Sequence, residues 1–308
     1  MKSDKSNTST SGGLAMHTFK NQDSLLGNIA EMKRRSEQVG YSLLNSPSTE
    51  DAGRRILNCA TEVGLPAGIN SGKPNYINFC NHRQCPTCQE RRAKRACAAM
   101  HQLFDQNPNL VDGKWLFLTL TVRNCSTRNL KETLARMSDA FQRLTRRTFW
   151  QQNVLGAIRF TEVSVGQSDP CTAHPHFHCL LLVRPSMFAG IHYMSEERWA
   201  SAWADVLQEH YIPTINVQRL NCPPNEVRTQ VVSMAGYSTK ARLETPDPQW
   251  LIEVTQQMRG YRSVQAYGLL ARPQLQPQVY GVTEDACKPF IPAGRFTWNR
   301  ITKQYQRL

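Results

Sequence analysis

His174, His176 and His178 alternate with Pro175 and Phe177 near the middle of the chain and run into the apolar stretch Leu180, Leu181, Leu182 and Val183. A β-strand turns successive side chains to opposite faces, so at a period of two the three imidazoles share one face and the apolar run buries the strand. Two ring nitrogens on one strand face can share a divalent ion when a carboxylate from a neighbouring strand completes the set, and Glu162 is placed to supply it. His174 competes with Glu162 for that third position. The alternative is three structural histidines, each satisfied by a backbone carbonyl, but desolvating three imidazoles together without a shared partner is costly. A cupin-type His-x-His site expects a glutamate a few residues later, and Cys179 to Pro185 contains none.

A second constellation lies upstream. Cys80, Cys85 and Cys88 are spaced Cys-x4-Cys-x2-Cys, and Cys59 offers a fourth thiol. A Cys-Pro-x-Cys turn aims two sulfurs at one ion, and four thiolates suit tetrahedral zinc. His82 and Cys97 compete for the fourth position. The cysteine order, with no preceding His-x-Glu, argues against a zinc deaminase. Downstream, Tyr237 and Lys240 stand three apart, on one face of an expected helix. Beside a metal, a tyrosine can attack a phosphodiester to form a covalent phosphotyrosine while a lysine stabilises the developing charge. Taken alone, a tyrosine at helical spacing is a packing residue.

The 308 residues carry a formal charge of +13, with 40% apolar and 20% charged side chains. That balance is ordinary for a folded chain, and the excess of Lys and Arg suits a polyanionic partner, because cations that neutralise phosphates release counterions. An ordinary basic protein is the bland alternative. The polar stretch from Met1 to Thr10 lacks the apolar core of a secretory signal, and no apolar run is long enough to span a bilayer. The ten cysteines are therefore expected in a reducing cytoplasm, as metal ligands rather than disulfides.

These groups need elements to position them. Residues 1–24 are expected to be a disordered tail, rich in Ser, Thr, Lys and Gly. Helices are expected over 49–63 and over 86–104, the latter opened by Pro86. Residues 115–122 alternate as a strand. Leu130, Leu134, Met137, Phe141 and Leu144 recur at helical spacing over 128–149, with Lys131, Arg136, Arg143, Arg146 and Arg147 on the outer face. Residues 154–165 read as a second strand, and a hairpin from it to the histidine strand sets Glu162 beside the imidazoles. A helix over 195–209, a strand over 212–220, a helix reaching 242, a helix over 250–270 broken near Gly260, and extended chain over 294–306 complete the expectation. No internal repeat is visible.

Taken together, Phe117-Leu-Thr-Leu-Thr-Val-Arg-Asn124, His174-Pro-His-Phe-His-Cys-Leu-Leu181 and Tyr237-x-x-Lys240 resemble the three ordered motifs of rolling-circle plasmid replication initiators of the HUH endonuclease class. The set Cys59, Cys80, Cys85 and Cys88 resembles that family's amino-terminal cysteine motif, and Arg259-Gly-Tyr-Arg-Ser-Val-Gln-Ala-Tyr-Gly268 its downstream segment. The likeness covers residues 54–270. It implies an α+β fold, a central antiparallel sheet flanked by helices, with an amino-terminal zinc-binding module. The corresponding division is a helical zinc-binding module over 25–110, a nicking domain over 111–272 and a carboxy-terminal extension over 273–308.

The resemblance also implies chemistry. Tyr237, helped by Lys240, would nick one strand at a plasmid origin, remain on the 5′ phosphate and leave a 3′ hydroxyl for a host polymerase, with later rejoining. Magnesium or manganese would sit at His176 and His178 with Glu162 or His174 third, and zinc at the cysteines. Arg91, Arg92, Arg95, Arg123, Arg143, Arg146 and Arg147 are the candidate DNA contacts, and a host helicase and single-strand-binding protein are the further partners. Family members often carry a glutamate four residues before the tyrosine; here Ser233 stands there, which cannot serve as a carboxylate base. A conjugative relaxase would place its tyrosine ahead of the histidines. A rolling-circle transposase would pair two tyrosines about one helical turn apart, and Tyr237 has no such neighbour. The non-enzymatic alternative is a zinc-dependent DNA-binding regulator.

Overall fold

The computed structural model describes residues 11–65, 74–167, 169–238, 247–271 and 294–308, with side chains from residue 25 onward. In chain order the helices are α1 (Ser11–Leu44), α2 (Glu50–Leu57), α3 (Pro86–Gln106), α4 (Leu130–Thr145), α5 (Thr148–Asn153), α6 (Glu196–Leu207), α7 (Pro224–Ser238) and α8 (Pro248–Gln257). The strands are β1 (Glu62–Leu65), β2 (Tyr76–Ile77), β3 (Lys114–Thr121), β4 (Cys125–Ser126), β5 (Val154–Val165), β6 (Thr172–Val183), β7 (Ile215–Arg219), β8 (Val264–Gly268), β9 (Gly294–Asn299) and β10 (Gln304–Arg307). The chain divides into two compact units, one drawn from Met1–Leu44, Glu50–Cys88 and Val282–Leu308, the other from Asn45–Thr49 and Gln89–Gly281.

In the first unit, β10, β9, β1 and β2 form an antiparallel sheet in that order. α1 joins it through polar groups buried in pairs: Trp298 Nε1 and Lys303 Nζ donate to the two carboxylate oxygens of Glu37 at 2.8 and 2.6 Å, and the buried Lys33 ammonium donates to the Leu57 carbonyl at 2.6 Å. Such charges are tolerated inside only when partnered this way. Helix α1 begins at Ser11, and residues 1–10 lie outside the described residues. Two expectations are corrected here. The helix expected over 49–63 stops at Leu57, because Ala60 takes a left-handed φ of 53° and Glu62–Leu65 then pairs with Gly294–Thr297. That pairing makes the last strands part of the amino-terminal unit rather than a separate extension.

The second unit is built on the antiparallel order β7-β3-β6-β5-β8, with β4 pairing off the end of β6. The fold class expected from sequence is therefore observed, a central antiparallel sheet with helices on it and a four-cysteine cluster upstream. Register separates the two sheet faces. Glu162 lies opposite His176, Phe160 opposite His178, Ile158 opposite Leu180, and Thr119 opposite His178 on the other side. Cross-strand partners share a face, so one face carries His174, His176, His178, Leu180 and Leu182 of β6 with their β5 and β3 neighbours.

On that face Met100, Leu103 and Phe104 of α3 and Val227, Val231, Val232 and Ala235 of α7 pack with Trp115, Ile158, Phe160, Leu180 and Leu182. Burying each of the larger of these side chains stabilises the fold by roughly 1.5–3 kcal/mol. The opposite face is closed by Phe141 of α4, edge-on to Phe177 at 5.9 Å, and by Trp203 of α6 at 6.2 Å from Phe177. Buried Arg159 lies there too, its guanidinium 4.2 Å from the Phe177 ring centroid and 5.1 Å from that of Phe141.

Residues 264–268 correct another expectation. They were read as helix, and instead they pair with Gly156–Phe160 as the edge strand β8. Gly260 at φ +74° lets the chain reverse after α8, and Gly268 at φ +57° is required because a Cβ there would meet the Leu155 carbonyl at 2.4 Å. No helix among the described residues is long and apolar enough to cross a membrane.

Candidate active site

Glu162, His176 and His178 bring one carboxylate oxygen and two ring nitrogens to a single point. Glu162 Oε2 stands 3.1 Å from His178 Nε2 and 3.4 Å from His176 Nε2. The histidines present Nε2 because Nδ1 is used elsewhere: His176 Nδ1 donates to the His174 carbonyl at 3.2 Å, and His178 Nδ1 meets the Thr119 hydroxyl at 3.1 Å. Holding Nδ1 this way fixes the tautomer and leaves Nε2 lone pairs for a metal. The Phe117 ring stacks on His178 at 5.4 Å and 15°. Three acceptors this close need a cation or a shared proton between them, and the nitrogen and oxygen donor set fits a divalent ion. Burial acts to raise the Glu162 carboxyl, but hydrogen bonds and charge from His176 and His178 outweigh it and hold the group at about 2.

His174 does not join this cluster. Its ring is 5.4 Å from that of His176, and its Nδ1 donates to the Asn124 side-chain oxygen at 2.8 Å. Burial, then the charge of His176, lowers its basicity against the opposing pull of Glu162. Thr119 and Asn124 are thus contributors to which the sequence assigned no role; strand alternation set Thr119 apart from Leu116, Leu118 and Leu120, and the pairing with β6 puts it on the histidine side.

Tyr237 lies near the carboxy-terminal end of α7, 49% exposed, on the helix that packs against the histidine-bearing face. Ser233, one turn earlier, is exposed as well. Lys240 lies outside the described residues. The other two tyrosines of the downstream motif are on the opposite face: Tyr261 hydrogen-bonds Ser138 and Thr161, and the Tyr267 ring packs on Phe141 at 5.4 Å.

In the first unit the thiols of Cys59, Cys80, Cys85 and Cys88 lie within 4.8 Å of one another. The Cys59–Cys88 and Cys80–Cys88 sulfur separations are 3.7 and 3.6 Å, close to the ~3.8 Å edge of a tetrahedron with zinc–sulfur bonds of about 2.3 Å. Sequence explains the geometry. Pro86 opens α3 so that Cys85 and Cys88 flank its first turn, and Asn81 at φ 57° folds the chain so that the His82 amide donates to Cys80 Sγ. The Cys80 amide and the Ser36 hydroxyl reach Cys59 Sγ and Cys85 Sγ, each at 3.5 Å. Hydrogen bonds from Cys59, Cys80 and Cys88 pull the Cys85 thiol far down, and donating to Cys80, Cys85 and Cys88 pushes Cys59 up. Four thiols brought together in this way form a donor set that suits one soft cation. The competing candidates stand apart: His82 Nδ1 accepts from the Gln84 amide, and Cys97 meets the Val232 carbonyl of α7.

The arginines divide as well. Arg143 donates to the Val206 carbonyl at 3.0 and 2.7 Å, and Arg147 pairs with Asp205, so both are engaged with α6 on the face away from the histidines. Arg146 is exposed just after α4. Arg91, Arg92 and Arg95 lie on α3, and Arg123 follows the end of β3 beside Asn124.

The family described as "Replication protein" matches residues 72–286, well over half of the chain. A Rep protein of Streptococcus pneumoniae serotype 2 (strain D39) is 32% identical over 165 residues, 53% of this chain and 51% of its own length. A Rep protein of Lentilactobacillus hilgardii is 28% identical over 211 residues, covering 64% of this chain and 67% of that one. One from Staphylococcus aureus is 25% identical over 211 residues, 68% of this chain and 90% of the relative. The chain therefore spans about half the length of the pneumococcal relative and two thirds of the next. No solved structure matches it significantly. Because the matched residues include the whole histidine-bearing sheet together with Glu162 and α7, the chain belongs to the replication-protein family, the Rep initiators of rolling-circle plasmids, with a four-cysteine and a His–Glu cluster consistent with HUH-type architecture.

Proposed function

We propose that this chain nicks one DNA strand at a plasmid replication origin and later rejoins it, with Tyr237 as the nucleophile. The observation that carries the reading is that the His176, His178 and Glu162 cluster and the helix bearing an exposed tyrosine share one sheet face. Tyr237 Oη attacks the scissile phosphorus and gives its proton to solvent, while the P–O3′ bond breaks and the departing O3′ takes a proton from solvent. The products are a 5′-phosphotyrosine and a 3′ hydroxyl from which a host polymerase extends. A bound magnesium or manganese ion supplies Lewis-acid polarisation of the scissile phosphate. Glu162 and the two Nε2 atoms hold that ion, Thr119 and the His174 carbonyl orient the rings, and Lys240 stabilises charge on the attacked phosphate. The four cysteines hold one zinc ion. Basic side chains, Arg123 foremost, hold the strand, and helicase and single-strand-binding protein of the host cytoplasm act with the enzyme.

The test is cleavage of a single-stranded oligonucleotide from the plasmid's own origin. Manganese-dependent nicking with a covalent adduct that Tyr237→Phe eliminates is expected. Sequence-specific binding without cleavage under any divalent metal would make the chain a DNA-binding regulator instead.

A further inference from the structure

We propose that Arg123 and Tyr211 form a stacking platform for one unpaired DNA base at the rim of the metal-binding cluster; the proposal rests on the nicking function and specifies how the strand is held. The position follows from register. Thr121 lies opposite His176, so Arg123 stands two residues beyond it, and the next residue, Asn124, bonds His174 directly. Tyr211 comes from the segment after α6, and its hydroxyl accepts the Arg123 backbone N–H at 3.0 Å. The Arg123 guanidinium carbon then sits 4.0 Å from the centroid of the Tyr211 ring. Two more bonds brace the arrangement, from the Thr121 hydroxyl to the Thr214 carbonyl at 2.5 Å and from Trp203 Nε1 to the Thr121 carbonyl at 2.8 Å.

Two observations separate this pair from an ordinary surface cation–π contact. Arg136 and Arg147 are neutralised by Glu209 and Asp205, whereas among the described residues no carboxylate pairs with the exposed Arg123. Ile212, the next residue in sequence, is 66% exposed and adds an apolar side chain to the same segment. A guanidinium held over a ring offers its outer plane to a base and its N–H edge to a phosphate. Bases in a duplex are already stacked on both faces, so the occupant is single-stranded DNA, placed where an extruded or melted origin strand passes the histidines.

The experiment measures binding of fluorescein-labelled oligo(dT) and of a duplex of equal length by anisotropy, with the full chain and variants. Tyr211→Ala should weaken oligo(dT) binding about ten-fold and leave duplex binding within two-fold. Tyr211→Phe keeps the ring but gives up the bond to the Arg123 N–H and should fall by less than Tyr211→Ala, while Arg123→Lys keeps the charge but loses the plane and should fall with Tyr211→Ala. Manganese affinity, read by calorimetry, should be unchanged in all three. The platform is overturned if Tyr211→Ala binds oligo(dT) as wild type does, or if single-stranded and duplex binding fall equally. Wild-type protein that binds oligo(dT) through Tyr211 and never cleaves origin DNA would overturn the nicking reading and leave the platform standing.

Discussion

At the scale of single residues, the register that sets Glu162 opposite His176 brings its carboxylate into the candidate cluster. Period two and a hairpin were enough to read the histidines and Glu162 from sequence, but His174 lies on the same face, and only the observed bond to Asn124 separates it. We expect His176→Ala and His178→Ala to abolish cleavage while leaving origin binding largely intact, since these rings polarise a phosphate rather than grip a duplex. Glu162→Ala should lose most activity at low manganese, and His174→Ala far less. Equal activity of both with wild type in a manganese titration would remove the site. Tyr237 is tested the same way: its Phe variant should lose the covalent adduct, and Tyr261→Phe and Tyr267→Phe should keep it, because both rings lie on the other side of the sheet. Ser233 and Tyr237 share the exposed side of α7, so Ser233→Glu should hasten hydrolysis of the adduct, and Ser233→Ala should change little. A severe termination defect in Ser233→Ala, followed by gel analysis of rejoined product, would assign that serine a catalytic part.

At the scale of elements, the position of α7 depends on a close approach that sequence does not reveal. A Cβ on Gly236 would lie 2.6 Å from Cys97 Sγ of α3, and Cys97 itself meets the Val232 carbonyl one turn back. Alanine ordinarily stabilises a helix interior over glycine by about 1 kcal/mol, whereas forcing a methyl into a filled site costs about 1–3 kcal/mol. The overlap should win. Gly236→Ala is therefore expected to lower the melting temperature and slow nicking by displacing the neighbouring Tyr237, and Cys97→Ala added to it should recover both. Failure of the double variant to recover, measured by thermal melts and nicking rate, would show that α7 is not positioned through this contact. Pro223 and Pro224 marked the start of α7, and helix periodicity told of α4 in outline, because its apolar stripe is long. It failed over 264–268, since five residues give too few turns to distinguish periods and the decisive facts, Gly260 at positive φ and pairing with β5, are tertiary.

At the scale of the whole molecule, the cysteine spacing was legible and its structural context was not. Local sequence named four thiols, but the unit around them is assembled from α1, the 50–88 segment and the last two strands, which are far apart along the chain. The links are side chains with no sequence signature: Ser36 reaching Cys85, and Glu37 of α1 holding Trp298 and Lys303. Zinc binding in such a unit is folding free energy, because an unfolded chain has no preformed site. Purified protein should therefore contain one zinc per chain in addition to any metal at the histidines. Cys85→Ser or Cys88→Ser should lose it and expose α1 and β9–β10 to proteolysis and amide exchange. Manganese affinity at Glu162, His176 and His178 should persist, because those residues belong to the other unit with its own core. Metal analysis and exchange mass spectrometry read the two effects separately. Protein free of zinc whose amide protection in α1 is untouched by a chelator would make the four cysteines packing residues and leave that unit to its Glu37 and Lys33 pairings alone.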